Sequence, residues 1–208
     1  MTPEAVQALF TRSDGAYAFA RWGRPIAPVV FGVEERTLSV LKGACEAIVT
    51  LAGHKMAETD PELGANLMVF FCKHWAELGE VPNLDRLIPD LGGLIGRLVE
   101  ADANQYRIFR FDEDGAIRAC FVLVRMDEHM AAVDAQTLAL SQMAQSILLW
   151  SDAAFLNDSP LALVGDGQII LKPEIGAVIR AAYDPVLPAF ASDASHALRV
   201  FARLEQPQ

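Results

Sequence analysis

Positive charge is in short supply, and that shortage narrows the partners first. Lys and Arg total 17 against 27 Asp and Glu, a formal charge of −10, and no basic cluster interrupts the acidic surplus. Nucleic acid and anionic membrane both require a cationic face, so neither is an expected partner. No apolar run approaches the roughly 18 residues that span a bilayer. The opening stretch MTPEAVQALF has an early acid, no basic leader and no apolar segment before a small-residue cleavage site. No signal peptide is expected there, and a cytoplasmic location is the expectation. Cysteine is scarce too: Cys45, Cys72 and Cys120 are odd in number and widely spaced. That pattern fits neither a disulfide framework nor a Cys-x-x-Cys metal or redox site, and buried free thiols are the expectation. Internal repeats are missing, which excludes a solenoid.

What is present is a composition that folds. The chain has 208 residues, 52% hydrophobic and 21% charged, enough for a single domain (1–208) around one substantial core. Residues 1–14 read as an N-terminal arm ended by Ser13-Asp14-Gly15. Ala16–Trp22 and Ile26–Phe31 are aromatic and β-branched runs that read as strands, separated by Gly23-Arg24-Pro25. From Glu34 to Gly53, Leu38, Leu41, Cys45, Ile48 and Leu51 recur at helical spacing and predict a long helix. Ala65–Cys72 reads as a buried strand and Leu91–Ala101 as a helix. Tyr106–Phe111 and Ala116–Arg125 flank an Asp114-Gly115 turn and predict a hairpin. Leu156–Gly167 reads as a loop, Glu174–Ala182 as a helix after Pro173, and a C-terminal helix is expected within 191–208. Strands, hairpin and helices in this order predict an α+β fold, one mixed β-sheet with the long helix and a central helix packed on it.

That central helix is expected over Asp134–Trp150. Asp134 is a natural N-cap, and Leu140, Met143, Ala144, Ile147 and Trp150 repeat at helical spacing. Beside them, Ser141, Gln142 and Gln145 form a polar spot, because positions i and i+4 lie one turn apart. It is the spacing at which His-Glu-x-x-His holds zinc, yet these residue types bind zinc poorly or not at all.

Trp22-Gly23-Arg24-Pro25-Ile26 entering an early strand, Ala65-Asn66-Leu67-Met68-Val69 a later one, and a hairpin leading into a helix together resemble the zincin-like metallopeptidase fold. More closely, the chain is similar to a bacterial family of uncharacterised zincin-like proteins. In that family the helix carries a degenerate Glu-Glu-x-x-Gln pattern, followed by an Asn-Asp-Ser turn and a Tyr-Asp-Pro segment. The matching pieces here are Ser141 to Gln145, Asn157-Asp158-Ser159 and Tyr183-Asp184-Pro185. The resemblance covers about residues 15–190 and implies a single zincin-like domain whose Ser141, Gln142 and Gln145 line a relic cleft. Ser141 and Gln145 occupy the two histidine positions, Gln142 replaces the general base, and Leu148 and Ser151 stand where the longer zinc motif has glycine and its third ligand. An amide cannot take a proton from zinc-bound water, so peptidase chemistry, catalytic residues, a metal and a cofactor are all unexpected.

Other constellations are weaker. His54 with Glu58, and His74 with Glu77, are pairs where catalytic zinc takes three protein ligands. His129 with Asp127 and Glu128 reads as a solvated acidic bend, and Asp193, Ser195 and His196 lack the context of a nucleophile elbow. Gly92-Gly93-Leu94-Ile95-Gly96 follows no strand, which argues against a phosphate loop. Two functions from different classes stand at this stage. One is a non-catalytic binding or interaction module whose cleft or sheet edge takes a peptide, a protein or a second copy as a homodimer. The alternative is a hydrolase whose atypical metal site uses His54 or His74 with loop acids.

Overall fold

The computed structural model describes residues 1–165 and 167–204. Helix α1 (Pro3–Ala8) and strand β1 (Phe19–Ala20) precede β2 (Pro28–Phe31), the long helix α2 (Glu35–Leu51) and β3 (Leu67–Cys72). A 3-10 segment (Trp75–Glu80), α3 (Leu84–Leu87) and α4 (Leu91–Glu100) lead to the hairpin β4 (Gln105–Phe111) and β5 (Ile117–Arg125). Then come α5 (Glu128–Ala131), α6 (Ala135–Ser146), β6 (Leu161–Val164), β7 (Gln168–Leu171), α7 (Pro173–Ala182), β8 (Phe190–Ala191) and α8 (Ser195–Leu204).

The main sheet runs β2-β3-β5-β4. β2, β3 and β5 are parallel, and β4 is antiparallel to β5, so the sheet is mixed and the domain is α+β. All six residues of β3 are buried, as expected of an inner parallel strand covered on both faces. Alternation then assigns each side chain to a face. Leu67, Val69 and Phe71 of β3 and Cys120, Val122 and Val124 of β5 join Leu41, Cys45 and Ile48 of α2 and Met143 and Ile147 of α6 in one core. Met68, Phe70, Phe121 and Leu123 point the other way, onto Trp75, Leu78, Leu91, Leu94 and Leu98. The excursion between β3 and β4 thus forms the third layer. Among the described residues no helix is long and apolar enough to cross a membrane.

Several boundaries differ from the expected ones for local reasons. The strand expected over Ala16–Trp22 shrinks to β1, which pairs with β8 rather than with the main sheet, while Arg21 and Trp22 make single bridges to Leu148 and Ile117. The loop expected over Leu156–Gly167 contains β6, paired in register with β7 from Leu161↔Leu171 to Val164↔Gln168. The Asp166 turn residue lies outside the described residues, as do residues 205–208 of the expected C-terminal helix. The N-terminal arm is packed rather than free: Phe10 is fully enclosed and stacks on Trp150 with ring centroids 5.4 Å apart.

The central helix stops at Ser146, four residues short of Trp150. Its last carbonyls are taken by side chains instead of by further turns. Trp150 Nε1 donates to Ala144 O, Trp22 Nε1 to Ser146 O and Tyr183 Oη to Ile147 O, each at 2.9 Å. Leu149 N then donates to Ala20 O at 2.9 Å, so the chain leaves the helix as an extended segment.

Candidate binding cleft

Helix α6 begins as its sequence requires: Asp134 accepts hydrogen bonds from Gln136 N (3.1 Å) and Thr137 N (2.9 Å). Met143 and Ile147 are buried, and Leu140 is half-buried at the margin. The three polar residues divide into two groups. Gln145 Nε2 donates to Ser141 Oγ at 2.9 Å, one turn apart on a half-buried face. Gln142 is turned about a quarter of the helix away and is only 1% exposed. Its Nε2 donates to Gln105 Oε1 at 3.1 Å, and its Oε1 accepts from Arg107 Nη2 at 2.5 Å. The amide is therefore a strut between α6 and β4.

Arg107 is the residue that sequence reading passed over. It shares a strand face with Phe109, which packs on the core beneath α6, whereas Ile108 points to the opposite core. Besides Gln142, its Nη2 reaches Gln105 Oε1 at 3.3 Å. Its Nε is enclosed without a partner. Nη1 has no protein partner among the described residues and, unlike Nε, is not sealed off. No carboxylate among the described residues forms an ion pair with it. Burial lowers its pKa to about 10, with the nearby Cys120 thiol working the other way, so the guanidinium stays charged at neutral pH. The available signal was a cation on the same strand register as Gln105 and Phe109, whereas Arg110 falls on the other register.

A groove of about 570 Å³ runs along β4, with Gln105, Arg107 and Phe109 on one side and Gln145, Trp150 and Phe155 on the other; of the three helix residues expected to line a cleft, Gln145 lines it and Ser141 and Gln142 do not. Strand β4 ends the sheet, so its outer edge has no partner strand among the described residues. Arg125 N donates to Asn104 O at 2.8 Å, directly opposite in the register. Bonded pairs alternate along an antiparallel ladder, so the backbone groups of Gln105, Arg107 and Phe109 face outward. A second hollow of about 630 Å³, between α2, α6 and β7, offers among the described residues one carboxylate, Asp134, which is already spent as a helix cap.

The remaining candidates are occupied structurally. His54 Nε2 lies 2.8 Å from Arg24 O and its ring sits beside Tyr183, with burial lowering its pKa. His74 and Glu77 close a capping box on the 3-10 segment, His74 N donating to Glu77 Oε1 at 2.8 Å. Asp127 caps α5 through Met130 N (2.8 Å) and pairs with Arg125, leaving His129 exposed. Asp193 accepts from Ser195 N at 2.8 Å, while His196 is buried with Nδ1 2.9 Å from Tyr17 Oη, so the three make no triad. At Gly92-Gly93 the helix start is filled by the Asp90 carboxylate, against which a Cβ on Gly93 would collide. All three cysteines are free and buried. Among the described residues no group of three or more His, Cys, Asp or Glu is placed to hold a metal ion. Comparison with family models, curated proteins and solved structures finds nothing that matches this chain.

Proposed function

We propose that this chain is a zincin-like binding module without metallopeptidase chemistry, and that its groove receives an extended peptide as an added strand on β4. The observation that carries this reading is the free outer edge of β4, whose outward backbone groups at Gln105, Arg107 and Phe109 run alongside the groove. Main-chain pairing supplies affinity in strand addition, and pockets for alternate side chains supply selectivity. The zincin-like part of this reading rests on the order of strands, hairpin and packed helix, and it takes Ser141, Gln142 and Gln145 as the counterparts of the metallopeptidase motif. Gln142 is committed to Gln105 and Arg107, which leaves its amide in a holding role.

Two measurements test this. Amide hydrogen exchange with a pool of blocked hexapeptides should show new protection at Gln105, Arg107 and Phe109. Protein purified without added metal should carry well under one zinc per chain, and Gln145→Ala should change neither metal content nor folding cooperativity. Stoichiometric zinc lost in Gln145→Ala, together with cleavage of the peptides, would overturn the reading.

A further inference from the structure

Resting on that reading, we infer that Arg107 selects the occupant: the added strand carries an acidic side chain, Glu or Asp, at the position facing Arg107. Three observations converge. The guanidinium stands inside the groove with Nη1 unused and Nε enclosed without a partner, while its two glutamine partners supply dipoles and no charge. A cation so placed lacks its counter-charge, and a carboxylate supplies it by accepting a charge-assisted hydrogen bond from Nη1. The other charged groups of the groove do not fill the gap. Asp152 is held by Ser13 N (2.9 Å), Ser13 Oγ (2.5 Å) and Ser151 Oγ (3.3 Å), and Arg12 adds positive charge.

The third observation decides between a side chain and a chain terminus. The Arg107 side chain projects from the sheet toward α6, because it bonds Gln142 there, while the added backbone would lie in the plane of the sheet. Side chains of the added strand project alongside Arg107; a terminal carboxylate would remain at the edge. The groove also continues past Arg107 along Phe109 and Phe111, so a peptide need not end at that point. Of the two same-face ligand positions two residues away, the one facing Phe109 meets that ring and the wall made by Trp150 and Phe155, which favours an apolar residue there, while the other faces Gln105.

The test uses a pair of blocked heptapeptides of alternating threonine and valine that differ only in a central glutamate or glutamine. A third peptide has glutamine at the centre and a free C-terminus. Charge-assisted pairing predicts that the glutamate peptide binds about 10-fold to 100-fold more tightly than its glutamine twin. Arg107→Met should abolish that ratio. The variant's thermal unfolding serves as the folding check. Equal binding of the blocked glutamate and glutamine peptides would overturn the acidic preference and leave strand addition standing. So would a preference for the free C-terminus, or a glutamate preference that survives in Arg107→Met. Failure of every peptide to bind, or occupation of the β4 edge by a second copy in sedimentation, would overturn both.

Discussion

Arg107 Nη2 donates to Gln142 Oε1 at 2.5 Å, a bond that ties the edge strand of the sheet to the helix that faces it. Gln142 also donates to Gln105 Oε1, so its amide holds two strand side chains at once. Gln142→Ala should destabilise the protein by about 1–3 kcal/mol, because it leaves a half-buried guanidinium with one fewer acceptor. Gln142→Glu should fold, supply an internal carboxylate to Arg107 and erase the preference for an acidic peptide. Urea unfolding and peptide titration of the two variants check this.

Packing of α2 on the sheet is tested by contrast. Ile48 is buried in the core, and Lys42 on the same helix is exposed. Truncating a buried Ile to Ala costs about 2–5 kcal/mol, a large share of the roughly 5–15 kcal/mol by which a domain is stable. Ile48→Ala should lower the unfolding midpoint strongly and Lys42→Ala only slightly. Equal small shifts would mean that α2 does not pack on the core.

Two glycines should respond with opposite sign. Gly32 has φ +81° and a Cβ there would collide with the Phe71 carbonyl oxygen, so Gly32→Ala should cost at least about 2 kcal/mol. Gly43 lies inside α2 with nothing near its Cβ direction, so Gly43→Ala should stabilise by about 0.5–1 kcal/mol. Thermal unfolding of both variants decides it.

His196 makes stability depend on pH. Burial, then Arg199, Arg21 and Arg203, lower its pKa from 6.5 to about 4, while its contacts are Tyr17 and the Phe19 ring. Above pH 6.5 both states are neutral and the stability is intact. Below it the unfolded chain binds a proton that the folded chain refuses, so stability declines until about pH 4, by on the order of 1–2 kcal/mol after screening. Urea midpoints at pH 7 and pH 5 should differ more in the parent chain than in His196→Gln. An unchanged difference would remove His196 as the cause.

The sequence by itself determined the elements whose pattern is strong and local. The stripe Leu41, Cys45, Ile48 specified α2, the continuous apolar run specified β3 as an inner strand, and Asp114-Gly115 between apolar runs specified the β4-β5 hairpin. Asp134 marked the start of α6 because a cap acts within one turn. Tertiary structure decided the rest, for physical reasons that pattern cannot carry. The end of α6 is set by Trp22 and Tyr183, far away in sequence, whose donors take its last carbonyls. β1 joins β8 instead of the main sheet because strand partners are chosen by three-dimensional proximity. The site itself depends on one register: Arg107 becomes a half-buried cation beside Gln142 only because β4 lies at the edge of the sheet, with the side chains of Gln105, Arg107 and Phe109 turned toward α6. A strand's sequence shows that its faces alternate, but which face meets a helix is decided only when the sheet is assembled.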